Sequence, residues 1–102
     1  MADRLSLQTE FETILDSRNV YFQPPESLKL SYPCIVYSLS GINKQNANNQ
    51  LYKSINEYEV TVIDPDPESI IAHEILRYFP MCRFDMRFVS ENLNHSTLTL
   101  YY

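Results

Sequence analysis

The stretch "YEVTVIDPDPESIIAHEILRYFP", residues 58–80, changes its hydrophobic period partway along. Tyr58, Val60 and Val62 alternate with Glu57, Glu59 and Thr61, which predicts a strand with one face on a core and the other toward water or a partner. With "DPDPESIIAHEILRYFP" the period becomes about 3.6. Ile71, Ile75, Tyr78 and Phe79, with Ala72 and Leu76 beside them, then form one apolar side of a helix. Asp66 is placed to accept from the helix's orphan amides, Pro67 suits the first helical position, and Glu68 stands at the positive end of the dipole. Pro80 closes the helix.

The remaining segments extend this plan. Leu7, Phe11, Ile14 and Leu15 recur at spacings of three and four, predicting an amphipathic helix over 3–17, with Asp3 as cap and Arg18 suiting the far pole of the dipole. In "NVYFQPPESLKL" the Pro24-Pro25 pair excludes helix and central strand, leaving an edge strand or an extended connector. "YPCIVYSLSG" carries a continuous apolar run from Cys34 to Tyr37, a buried strand predicted to end at Gly41. "INKQNANNQ" has no periodicity and reads as a polar, mobile loop over 42–50. The last stretch, "DMRFVSENLNHSTLTLYY", reads as a hairpin with a polar turn over 90–96. Alternation places Phe84, Met86 and Phe88 on one face and Arg83, Asp85 and Arg87 on the other, with Leu98, Leu100 and Tyr102 matching the apolar face. The predicted fold class is α+β: a mostly antiparallel sheet of about four to six strands, an N-terminal helix and a second helix on one face, and a C-terminal hairpin. The 102 residues suffice for a single domain over 1–102. A terminal strand packed beneath a helix would keep the chain end from fraying, and tyrosine suits that place because its ring can be buried while its hydroxyl reaches a neighbour.

Charge and composition narrow the function. A net charge of −5 with eight scattered basic residues argues against binding driven by phosphate neutralisation. No apolar run approaches the roughly 20 residues that span a bilayer, and MADRLSLQTEF lacks a signal peptide's basic start and apolar stretch, so folding in the cytosol is expected. Cys34 and Cys82 sit in apolar segments without ligand spacing and read as reduced core thiols. Gly41 is the only glycine, which leaves no Gly-rich phosphate loop. Asp64, Asp66 and Glu68 follow a strand as metal-binding carboxylates often do, but helix capping uses the same residues. His73 and His95 are the only histidines, one reading as an exposed helix residue and the other as a hairpin residue beside Asn94. The expectation is a protein that is not an enzyme, with no catalytic residues, cofactor or metal; a small metal-dependent hydrolase using Asp64, Asp66 and Glu68 is the alternative from another class, as is a monomeric binding module. Eight tyrosines in so short a chain suit either an interface or strand positions. Opposite charges on Glu57/Glu59 and on Arg83/Asp85/Arg87 would suit neighbouring subunits of a ring.

"YPCIVY", a polar loop, "YEVTVIDPDPES", "CRFD", "ENLNH" and a terminal tyrosine follow one another from Tyr32 to Tyr102. In this order and spacing the chain resembles the small neck and tail-completion proteins of tailed bacteriophages, in particular those of tail-terminator type. The resemblance implies an α+β subunit of the virion, made in the host cytoplasm, that forms a ring, a hexamer in tail terminators. Such a ring caps the tail tube, joins it to the head, and leaves a passage for DNA without specific nucleic-acid binding. Its implied partners are other copies of itself, the tail tube protein and a head-completion or connector protein; a head-completion stopper is the nearest alternative. On this reading Asn46, Asn48 and Asn49 in the loop, Asn92 and Asn94 in the turn, Arg83 and Arg87 on the charged face, and Tyr102 are the expected partner contacts.

Overall fold

The computed structural model describes residues 4–47 and 51–102. Two helices and five strands follow in the order α1 (Arg4–Leu15), β1 (Val20–Phe22), β2 (Cys34–Ala47), β3 (Leu51–Asp64), α2 (Ile71–Tyr78), β4 (Cys82–Ser90) and β5 (Leu93–Tyr101). The strands form one sheet in the order β1-β2-β3-β5-β4. Only the short β1 runs parallel to its neighbour. The other pairings are antiparallel, so the fold is α+β, as the period switch predicts.

Both helices lie on one face of this sheet. The apolar stripe of α1 buries Leu7 and Phe11, and α2 adds Ile75 with Phe79 just beyond it; they meet Ile35 and Tyr37 of β2, Tyr58, Val60 and Val62 of β3, and Leu98 and Leu100 of β5. Aromatic rings thread this core: Phe11 meets Tyr37 edge-on at 5.2 Å between centroids and Phe79 at 5.6 Å, and Tyr37 meets Phe22 at 5.0 Å. The Tyr37 hydroxyl, carried into the interior, donates to Gln8 Oε1 at 2.5 Å and accepts from Arg4 Nη1 at 3.3 Å. Burial is the main cause that pushes its ionisation upward. Tyr37 and Tyr58 are thus core residues on strands, whereas Tyr32 and Tyr78 are exposed.

The C-terminus is fastened three ways. Tyr102 exchanges backbone bonds with Asn56 at 2.9 and 3.2 Å, its ring packs edge-on against Phe79, and its hydroxyl donates to Glu10 Oε2 at 2.6 Å. The other carboxylate oxygen of Glu10 accepts from the Tyr78 hydroxyl at 2.9 Å. One side chain of α1 therefore holds both α2 and the chain end.

Several sequence expectations are corrected. The segment 42–50 is not a loop throughout: β2 continues past Gly41 to Ala47, paired in register with β3 from Leu51, and only 48–50 lie outside the described residues. Backbone pairing does not require apolar side chains, so an Asn-rich segment can extend a hairpin that its composition hides. At Gly41 a bulge at Ser40 shifts the register, and an added Cβ would meet Glu57 only at ordinary contact distance, so neither space nor backbone demands glycine there. Helix α2 begins at Ile71 instead of Pro67, and its cap position, Ile70, has no side-chain cap bond. The Asp3 cap lies outside the described residues, and no basic residue falls in the last turn of α1.

The C-terminal hairpin departs furthest from simple alternation. Its turn is the two residues Glu91 and Asn92, both at positive φ (53° and 65°), the type I′ geometry that matches strand twist, so 93–96 is strand and not turn. A bulge interrupts β4 between Phe84 and Met86. Phe84 opposes Leu98 on the helix-covered face, but beyond the bulge Met86 opposes Thr97 and Phe88 opposes His95 on the other face, while Arg87 opposes Ser96. Phe84, Met86 and Phe88 therefore do not share a face, nor do Arg83, Asp85 and Arg87. One extra residue inverts the sidedness of everything after it.

Candidate functional site

The bulge places Arg87 over a concave site bounded by the end of β3, the turn that follows it, α2 and the C-terminal hairpin. The cavity measures about 380 Å³. Val62, Ala72, Leu76 and Phe84 form its apolar part, and Asp64, Asp66, Ser69, His73, Arg87, Asn94 and Ser96 its polar part.

Local chemistry fixes the wall formed by 64–71. Asp64, buried where β3 ends, accepts the Asp66 amide on Oδ1 at 2.8 Å, and Asp66 in turn accepts the Glu68 amide at 2.9 Å. Ser69 Oγ accepts the Ile71 amide at 3.4 Å. Each short side chain thus satisfies an amide two residues on, and Pro65 and Pro67 restrict the backbone between them. The acidic residues cap a turn in series and do not cap the helix. Among the described residues no group of three His, Cys, Asp or Glu side chains could hold a metal ion, and Glu68 does not join Asp64 and Asp66 in lining the cavity.

Asn94 and Arg87 lock the turn to the sheet. Asn94 Nδ2 donates to the carbonyls of Asp64 at 3.1 Å and Pro65 at 3.3 Å. Arg87 Nη2 donates to the Pro67 carbonyl at 2.6 Å and to Asn94 Oδ1 at 3.2 Å. Replacing Asn94 with Ala should cost about 1–3 kcal/mol, because carbonyls at a partly buried turn lose their donor. Urea unfolding measures this, and an unchanged midpoint would mean that the two prolines and the aspartates hold the turn alone.

The expected partner residues separate. Arg83 lies on the open face and donates to Asp85 at 2.9 Å and to Thr99 at 3.2 Å. The Thr99 hydroxyl first, and then Arg83, hold the Asp85 carboxyl below its ordinary range. Arg83 and Arg87 therefore make no common charged face, because the bulge sends them to opposite sides of the sheet. Asn94 is occupied within its own domain, which corrects its placement in a projecting turn. Asn92 sits at the tip of the hairpin, exposed. Tyr102 is part-buried in its contact with Glu10. Asn46 belongs to β2, with its side chain outside the described set, and Asn48 and Asn49 lie outside the described residues. Sequence reasoning passed over Glu10, whose spacing in α1 marks it only as a polar-face residue. It also missed the stack of Phe88 on His95, 4.7 Å apart and 11° from parallel.

No family model, no curated protein and no solved structure matches this chain.

Proposed function

We propose that this chain is a structural subunit of a tailed-phage neck, a tail terminator that assembles as a ring on the tail tube and joins it to the head. The observation that carries the reading is the far half of the β2–β3 hairpin. Beyond Gly41 and Asn56 the two strands pair only with each other among the described residues, while β1 reaches only Tyr37 and β5 ends against Glu57. A two-stranded ribbon is marginal by itself in water and gains stability by lying against other protein. An arm of this kind on a compact sheet-and-helix body suits a subunit that grips its neighbours.

The motif order from Tyr32 to Tyr102 and the α+β architecture support the same reading, and the net charge of −5 suits a ring through which DNA passes without being held. Function on this account is geometric. The arm, with Asn46, and the turn at Asn92 contact adjacent copies or the tube, and weak contacts repeated around a closed ring sum to a firm joint; Asn48 and Asn49, the other expected contacts, lie outside the described residues. The test mixes purified protein with purified tail tubes and images the product. A ring of about six copies at one end of each tube, with tubes that no longer lengthen, is expected. Tubes that stay bare and keep growing would overturn the assignment.

A further inference from the structure

Strand β4 forms the outer edge of the sheet, and every residue from Arg83 to Ser90 is exposed. Its apolar side chains are prominent, with Met86, Phe88 and Val89 at 55%, 42% and 65% exposure. An edge of this kind is a template for another strand unless something blunts it. The bulge at Asp85 interrupts regular pairing in its first half, but 86–90 remain regular down to the turn.

From this edge we infer that free copies of the chain pair two by two, β4 against β4, about a two-fold axis through Phe88. The register follows from three constraints. First, the two-residue turn makes Ser90 and Leu93 a mutually bonded pair, so alternation turns the backbone groups of Phe88 and Met86 toward β5 and those of Val89 and Arg87 outward. An antiparallel partner must therefore meet Val89 and Arg87. Second, residues directly opposite must lie on the same face, and Met86 and Phe88 share the open face while Arg87 and Val89 share the helix-covered one. Third, the pairing should use the whole regular segment without apposing like charges. Centring on Arg87 sets two guanidinium groups across from each other and runs into the bulge, and centring on Val89 runs into the turn. Centring on Phe88 sets Arg87 against the other copy's Val89 on both sides of the axis and engages all of 86–90.

In this register the two Phe88 residues form a non-hydrogen-bonded pair, the closer of the two antiparallel spacings. Each ring already lies flat on its own His95, so the two stacks meet across the axis. The pairing is isologous and closes on itself, which satisfies the open edge without starting a fibre. It concerns the free protein and does not rest on the phage reading.

Light scattering and a designed cross-link test it. The wild-type chain should run at twice the 12.0 kDa chain mass. Val89→Pro removes an outward amide without touching the bonds to β5 and should give a folded monomer. Should that variant fail to fold, Phe88→Cys supplies the second readout: Cα atoms at the spacing of a non-hydrogen-bonded pair suit a disulfide, so mild oxidation should link two chains, whereas Arg87→Cys should not link. A wild-type monomer, a free ring of about six copies, or equal cross-linking at 87 and 88 would each overturn the inference. Since the tube-capping experiment reads a different outcome, failure of the one leaves the other standing.

Discussion

Replacing Phe11 with Ala is expected to cost about 3–5 kcal/mol, a large part of the stability of a domain this size. The ring is fully buried and sits where α1, β2 and the end of α2 converge, edge-on to both Tyr37 and Phe79. Truncation would remove its buried apolar surface and both aromatic contacts, leaving a void that two helices and the sheet cannot all move in to fill. Chemical denaturation measures the loss. A cost below about 1 kcal/mol would mean that the aromatic core repacks and does not act as a fixed hub.

Cys34 should be almost inert toward thiol reagents in the native protein at pH 8. It is fully buried, and burial first, then the nearby negative charge of Asp64, push its thiol up to about 11 from an ordinary 9.0. A rise of two units lowers the thiolate fraction about 100-fold, and exclusion of the reagent slows reaction further. Because the folded state holds the proton more tightly than the unfolded one, this group's stabilising contribution is complete below about pH 9 and is lost as pH climbs toward 11. Counting thiols modified over time, before and after adding denaturant, checks the first statement. Unfolding curves across that alkaline range check the second. Rapid modification of Cys34 at pH 8 without unfolding would contradict its place in the sheet.

Much of the fold was legible because burial imposes a period on the chain. Leu7 and Phe11 gave the inner face of α1, Tyr58, Val60 and Val62 gave that of β3, and the change of period in the stretch from Asp64 to Pro80 gave α2, though not its first residue. The candidate site was legible only in part. Asp64 and Asp66 stood out as helix caps or metal ligands, and the structure instead has them accept the Asp66 and Glu68 amides within the turn, ahead of the helix. Nothing in the spacing of Arg87 or Asn94 announced that they would close over it. Asn94 is brought there by the pairing of β5 with the end of β3 and Arg87 by the bulge in β4, and neither strand order nor an extra residue in an edge strand leaves a mark on composition. The arm was hidden for a related reason, since β2 and β3 beyond Gly41 are joined by backbone bonds that any non-proline residue can make, so composition does not mark them.

The sequence alone therefore determined which residues seek the interior, because apolar periodicity is a local property that each helix or strand expresses by itself. Tertiary structure decided which distant groups meet. It set Glu10 beneath the hydroxyl of Tyr102 and Asn94 beneath the carbonyls of the 64–65 turn, and it turned Phe88 onto His95 on the open face. Those meetings follow from strand order and from one bulge, which are fixed by how all the elements pack together and not by any segment's own preferences.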